Sequence, residues 1–218
     1  MSELSRGRLI SFEGLDGAGK TTQMRLLEQW LQARNIAFIR TLEPGGTPLG
    51  SEIRRLVLNR PDLDIVPLAE SFLFQADRAQ HFARLVIPAL QEGKLVITDR
   101  CYDASIVYQG YARGVGVELV EQLSMLATQG IQPDLTILLD LDPSQVHSRT
   151  NTTSDQNGQR EERNRFDMEA EAFHRRVREG FQMLVHKYPA RIKVVDASRT
   201  VEAIHEEIVG LVKEVLHL

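Results

Sequence analysis

The chain is poor in cysteine and in aromatic residues, and its positive charges are outnumbered by its negative ones. One cysteine, Cys101, among 218 residues cannot close an internal disulfide or give a zinc ion a second thiolate, a usage that suits a reducing cytoplasm. The six histidines are too scattered for metal-ligand spacing. No apolar run approaches the roughly 20 residues of a membrane span. The opening stretch MSELSRGRLISFEG reaches a glycine after a few apolar residues and holds no signal-peptide core. Lys plus Arg number 26 against 30 for Asp plus Glu, a net charge of −4, which gives no general attraction for a nucleic-acid backbone. Any anion site must be local.

What is present is an ordinary globular composition. Hydrophobic residues at 42% and charged residues at 26% suffice for a core without disulfide or metal staples. At roughly 150 residues per domain, the length favours one compact domain with elaborations. Short apolar runs recur at Arg8 to Phe12, Ala37 to Thr41, Leu95 to Asp99, Leu135 to Asp140 and Ile192 to Asp196. They lack strict alternation, as buried parallel strands do. Helical patterns fill the gaps at Lys20 to Arg34, Leu49 to Leu58, Leu68 to Leu90, Val117 to Gly130, Met168 to Tyr188 and Val201 to Leu216. The alternation predicts an α/β fold, a doubly wound five-stranded parallel sheet flanked by helices, with ligands at the strand C-terminal ends. Two stretches break the rhythm. LEPGGTP at Leu42 to Pro48 is turn-rich directly after a strand, and TNTTSDQNGQREERN at Thr150 to Asn164 is too polar for a core and reads as a lid.

Gly14, Leu15, Asp16, Gly17, Ala18, Gly19, Lys20 and Thr21 complete a GxxxxGK[ST] phosphate loop between a predicted strand and a predicted helix. Its glycines let backbone N–H groups wrap phosphate oxygens, Lys20 reaches the outer phosphates of ATP, and the Thr21 hydroxyl suits Mg²⁺; Thr22 follows in the same helical turn. A guanine-reading NKxD is missing. Its near match, Asn59-Arg60-Pro61-Asp62, contains a proline and reads as a helix stop. The third strand ends in Asp99-Arg100, where Asp99 suits Mg²⁺ held through water and Arg100 suits a second anionic group.

The chain resembles the thymidylate kinase family of bacterial type, among the P-loop nucleoside monophosphate kinases. The resemblance runs end to end, on FEGLDGAGKTTQ from Phe12, EPGGTPLGSEIRRLVL from Glu43, FLFQADRAQH from Phe72, VITDR from Val96, YQG from Tyr108, PDLTILLDLDP from Pro133 and RFDMEAEAFHRRVREGF from Arg165. It implies one P-loop kinase domain over residues 1–218, with a lid at about 149–165. The implied reaction moves the γ-phosphate of ATP to dTMP with Mg²⁺, in the cytoplasm, by a homodimer with no nucleic-acid or membrane partner. It also implies residue roles. Phe74 stacks on thymine, Arg78 donates to a thymine carbonyl, Gln109 bonds the base edge, and Tyr108 presses on the sugar where a 2′-hydroxyl would sit. Asp16 accepts from the 3′-hydroxyl, Arg54 and Arg100 bind the monophosphate, Pro44 floors the pocket near the thymine methyl, and Ser105, read here in a loop, adds a polar contact. Lys20 and Arg100, with Arg149 and Arg165 from the lid, form the catalytic set.

Three positions depart from the family pattern: Leu42 where many bacterial members carry arginine, Ala104 in place of a common serine, and Asn164 in place of a frequent aspartate. At this stage a kinase for another pyrimidine monophosphate, or a nucleotide-binding module without turnover, stays open.

Overall fold

A computed structural model describes residues 7–145, 166 and 169–218. Arg149, Arg165 and the polar stretch between them lie outside the described residues. Five parallel strands, β1 (Leu9–Gly14), β2 (Phe38–Leu42), β3 (Leu95–Asp99), β4 (Leu135–Asp140) and β5 (Ile192–Asp196), make one sheet in the order β2-β3-β1-β4-β5. The chain leaves β1 toward the β2 edge and leaves β4 toward the β5 edge, so the loops at their carboxyl ends diverge and open a crevice there.

Period-two alternation along each strand divides the core in two. Ile10, Phe12, Ile97, Ile137 and Leu139 pack with Met24, Leu27 and Leu31 of α1 (Lys20–Gln32) and with Ile204, Ile208 and Val212 of the C-terminal helix Val201–Leu216. Leu9, Val96 and Leu138 face the opposite layer. That layer holds α2 (Pro48–Asn59), α3 (Pro67–His81), α4 (Ile87–Gln91), α5 (Tyr102–Ser105), α6 (Val117–Ala127) and α7 (Glu171–Lys187), which makes the C-terminal helix α8. A polar column runs under this second layer: Ser11 donates to Thr136, Thr136 donates to Asp103, and Arg191 grips both Asp103 oxygens at 2.6 and 2.8 Å.

Where the structure departs from the sequence pattern, a local cause is visible. The stretch expected as one helix from Leu68 to Leu90 runs from α3 into α4 through a π-wound turn, Phe82–Val86. Pro88, in the first turn of α4, has no N–H to return to the preceding turn, and the ladder widens to pass it. Ser105, expected in a loop, lies in α5, which continues as a second π-wound segment, Ile106–Ala112. Its run CYDASIVYQG is buried on every side, so no amphipathic period marks it as helical. Gly110 and Gly180 permit this close packing, since a Cβ at Gly180 would stand 3.0 Å from Val107 and 3.2 Å from the Tyr111 ring. The Asn59-Arg60-Pro61-Asp62 stretch does stop α2, at Asn59, with Arg60 and Asp62 paired at 2.7 Å.

Candidate active site

β1 ends at Gly14, whose φ of 133° and closeness to the Leu139 carbonyl leave no room for a side chain: a Cβ would lie 2.5 Å from that oxygen. Gly17 and Gly19 also have positive φ, 82° and 98°, and they turn the backbone into α1. The first turn of α1 carries no acidic residue and no side-chain cap. Its N–H groups and positive dipole end therefore face the crevice ready for an anion. Lys20 is buried, its ammonium donating to the carbonyls of Gly14 and Leu15 and to Asp16 Oδ1. Thr21 and Thr22 occupy the same helical turn.

Beside the loop lies a cleft, open at its mouth, whose walls include Asp16, Pro44, Arg54, Phe74, Arg78, Arg100, Ser105, Tyr108 and Gln109. These are all the acceptor-side residues expected from the sequence. A helix-face arginine is ordinarily solvated, but Arg78 is 1% exposed. Its Nε donates to Glu43 at 2.9 Å, Nη1 to Gln75 at 2.9 Å and Ser124 at 3.4 Å, and Nη2 to Ser105 at 3.0 Å. A guanidinium has five N–H groups, so one Nη2 hydrogen is left for a ligand. Gln109 spends its amide nitrogen on Glu70, at 2.8 Å. Phe74 and Tyr108 flank the space, joined by Phe166 in edge contacts at 6.3 and 5.7 Å. Arg54 holds the Pro44 carbonyl at 2.9 Å.

The Asp99-Arg100 pair sits at the end of β3, with Asp99 beside Phe12 of β1. Arg100 has a φ of 67°, a left-handed conformation costly for a branchless L side chain as for others. Three contacts overdetermine it: Arg100 N–H donates to the Phe12 carbonyl at 2.9 Å, Thr98 Oγ1 donates to the Arg100 carbonyl at 2.8 Å, and Cys101 N–H donates to Glu13 Oε1 at 2.8 Å. The turn aims the guanidinium over the Tyr108 ring, 5.0 Å from its centroid, and onto Asp16 at 2.8 Å. Enclosure alone would raise the Asp16 carboxyl, but Arg100 and Lys20 outweigh it and hold the group well below the usual range. Asp99 Oδ1 is buried with no hydrogen-bond partner among the described residues. With the Thr21 hydroxyl on the adjoining turn, that orphaned oxygen fits a hydrated divalent cation.

The sequence reading passed over several residues. Glu13 is fully buried, and burial pushes its carboxyl up to about 8 against the attraction of Arg100, whose Nη1 lies 3.9 Å away. Glu43 accepts from Arg78 and from His81 Nδ1, at 2.8 Å. Burial would raise it, yet Arg78 and His81 keep it below the ordinary range. Asp77 accepts from Gly45 N–H at 3.1 Å and shapes the EPGG turn. In the sequence Glu13, Glu43 and Phe166 are single letters within longer motifs, and Glu13 falls one residue past the strand expected at Arg8 to Phe12, whereas the observed β1 includes it. Of the three departures, Ala104 lines the cavity, Leu42 ends β2 half-exposed near Gly45, and Asn164 lies outside the described residues.

Glu13 sets a pH dependence of stability. The folded state holds its proton up to about pH 8, whereas an unfolded glutamate releases it near 4.5. Between those values the unfolded chain binds fewer protons, so this group makes stability fall as pH rises. Glu13→Gln keeps an oxygen for Cys101 N–H and has nothing to ionise. Its Tm is expected to fall less than the parent's between pH 5 and 8, measured by thermal melts across that range; parallel curves would count against it.

A phosphate loop and a second, base-sized pocket at the ends of the same parallel sheet, bridged by Asp16, define a P-loop phosphotransferase with a nucleotide acceptor. Comparison with known proteins gives the finer assignment. The thymidylate kinase family model matches residues 12–208. Thymidylate kinase from Clostridium novyi is 42% identical over 210 residues, covering 96% of this chain and 100% of that protein. The enzyme of the same name from Symbiobacterium thermophilum is 44% identical over 207 residues, 95% of this chain and 93% of that one. A crystal structure of thymidylate kinase from Ehrlichia chaffeensis superposes with a TM-score of 0.74 at 31% identity, covering 95% of this chain and 99% of its own. The chain belongs to the thymidylate kinase family.

Proposed function

We infer that the protein transfers the γ-phosphate of ATP to dTMP, yielding dTDP and ADP for dTTP synthesis. The observation that carries this reading is Asp16, which stands in the phosphate loop, bonds Lys20, and grips Arg100 in the wall of the second pocket. Donor and acceptor subsites thus share one residue. Family membership favours turnover over a binding module, and thymidylate over other acceptors.

The acceptor needs no general base, because a monophosphate with a second pKa of about 6 is already anionic at neutral pH. The chain's task is to hold two phosphate groups together against their repulsion and to answer the charge that builds on the β–γ bridge. Backbone N–H groups from Gly14 to Thr22 cradle the ATP phosphates. Lys20 follows the outer phosphates, Arg54 and Arg100 clamp the dTMP phosphate, and Arg149 and Arg165 of the expected lid segment supply further positive charge for the transferring group. Thr21 and Asp99 would hold Mg²⁺, which when bound would neutralise charge on the reacting phosphates. At the base end Phe74 stacks, Pro44 meets the methyl, Arg78 and Gln109 read the edge with Ser105 steadying Arg78, and Tyr108 backs the deoxyribose while Asp16 takes its 3′-hydroxyl.

This reading includes one kinase domain over residues 1–218 with a lid at 149–165. A homodimer is supported by large apolar side chains exposed on neighbouring helices, Leu49 of α2, Leu68 and Phe72 of α3, and Leu119 and Leu126 of α6, with Phe72 53% and Leu126 77% exposed. No helix among the described residues is long and apolar enough to cross a membrane. With one buried cysteine and a net charge of −4, the reading places the enzyme in the cytoplasm, without a nucleic-acid partner.

The test is ADP release coupled to a panel of monophosphates. Mg²⁺-dependent ADP and dTDP formation is expected only with acceptor present. Uracil differs from thymine by one methyl in an apolar contact worth about 1 to 3 kcal/mol, so dUMP is expected to trail dTMP modestly. ADP release stimulated by a purine monophosphate and not by dTMP would sink the assignment.

A further inference from the structure

The base edge presented by the pocket has a direction, and it is set from outside the pocket. Glu70, in the first turn of α3, is 1% exposed and does not line the cavity. One of its oxygens accepts from Gln109 Nε2 at 2.8 Å, and Arg113 Nε lies 3.8 Å away, a cation that complements a carboxylate there. A carboxylate only accepts, so it fixes which end of the amide faces it. The Gln109 nitrogen turns to Glu70, and the carbonyl oxygen, which accepts no hydrogen bond among the described residues, is left for the cavity. Arg78 is turned just as firmly, with four of its five N–H groups engaged and one Nη2 hydrogen remaining. The wall therefore offers a donor beside an acceptor.

We propose that Glu70 is a positioning residue which, by orienting Gln109, makes the pocket select pyrimidines bearing a carbonyl at C4 and a hydrogen at N3, and reject cytosine. Thymine and uracil present a carbonyl oxygen to Arg78 and an N3–H to Gln109. Cytosine presents an amino group and a bare N3, so both contacts become unfavourable, donor against donor and acceptor against acceptor. Sites built to hydrogen-bond one group discriminate against an analogue that lacks it by about 10⁴-fold, far beyond the methyl effect that separates dUMP from dTMP. The inference rests on dTMP being the acceptor.

The experiment compares kcat/KM for dTMP and dCMP in the parent and in Glu70→Gln, whose amide can either donate or accept and so releases Gln109 to rotate. The parent is expected to prefer dTMP by at least about 10³-fold. Glu70→Gln is expected to cut that ratio at least tenfold, through the dTMP KM rather than kcat, with the ATP KM unmoved. In a Gln109→Ala background the same change should no longer alter the ratio, because the route through the amide is gone. Glu70→Asp, a withdrawn carboxylate, is expected to shift the ratio in the same direction and serves if Glu70→Gln does not fold. An unchanged ratio in both Glu70 variants, an equal shift in the Gln109→Ala background, or a parent that takes dCMP within tenfold of dTMP each overturns the inference. A parent that forms no dTDP from dTMP removes the kinase reading beneath it, whereas normal dTDP formation with an unchanged ratio removes this inference alone.

Discussion

Arg100→Ala is expected to lower kcat/KM for dTMP by about 10³-fold while ATP affinity changes only a few-fold. The side chain ends a buried strand in a left-handed conformation held by contacts from Phe12, Thr98 and Glu13. Such strain persists only where the surroundings enforce it, and here the result is a guanidinium fixed between Asp16 and the Tyr108 ring. Losing a charge-assisted contact to the bound phosphate accounts for about 1.5 to 3 kcal/mol. Losing its stabilisation of charge at transfer brings the total to about 4 kcal/mol, or 10³ in rate. Arg100→Lys should restore little, since an ammonium cannot clamp two phosphate oxygens as the planar fork does. Steady-state kinetics with varied dTMP, beside direct ATP titration, separate the two subsites. Equal losses in dTMP turnover and ATP affinity would move Arg100 to the donor side.

The sheet was readable because buried parallel strands are apolar runs bounded by turn residues, and three of the five strands begin and end where the pattern does. The phosphate loop was readable because its glycines are required by backbone geometry: no side chain fits at Gly14. The α5 region was not. A helix buried on all sides shows no polar face, so Tyr102 to Ala112 lacked the period that marks α1 or α8. The same limit hid the residues that aim the site. Arg78 and Gln109 stand out in the sequence as expected base contacts, but Glu43, Gln75 and Glu70, which bond them, act across 35, 3 and 39 residues of chain. A carboxylate on an amphipathic helix looks like surface until the fold buries it. Glu13 is the extreme case, a charged residue in a strand of otherwise wholly buried side chains.

The remaining large effect is proposed for the expected lid segment, 149–165, which lies outside the described residues. Of the arginines lining the cavity, Arg78 is committed to Glu43, Gln75 and Ser105 at the base end, and Arg54 and Arg100 serve the acceptor phosphate in the proposed arrangement. Arg178, near the end of β4, is spent on Asp140 and Asp142 at 2.8 and 2.9 Å. On the donor side the phosphate loop contributes Lys20 and no arginine. The transferring phosphoryl group carries charge on several oxygens at once, and an arginine acting there contributes about 10³ to 10⁵ in rate, or 4 to 7 kcal/mol. Arg149 and Arg165 stand at the lid positions that the family pattern implies, and Arg160 and Arg163 fall within the polar stretch between them. Arg149→Ala and Arg165→Ala are therefore expected to lower kcat by about 10³-fold or more with little change in the dTMP KM. Arg160→Ala and Arg163→Ala should cost far less. Single-turnover measurements with saturating ATP and dTMP isolate the chemical step from product release. If all four variants keep kcat within a few-fold of the parent, the lid only covers the site, and Lys20 and Arg100 carry the charge stabilisation between them.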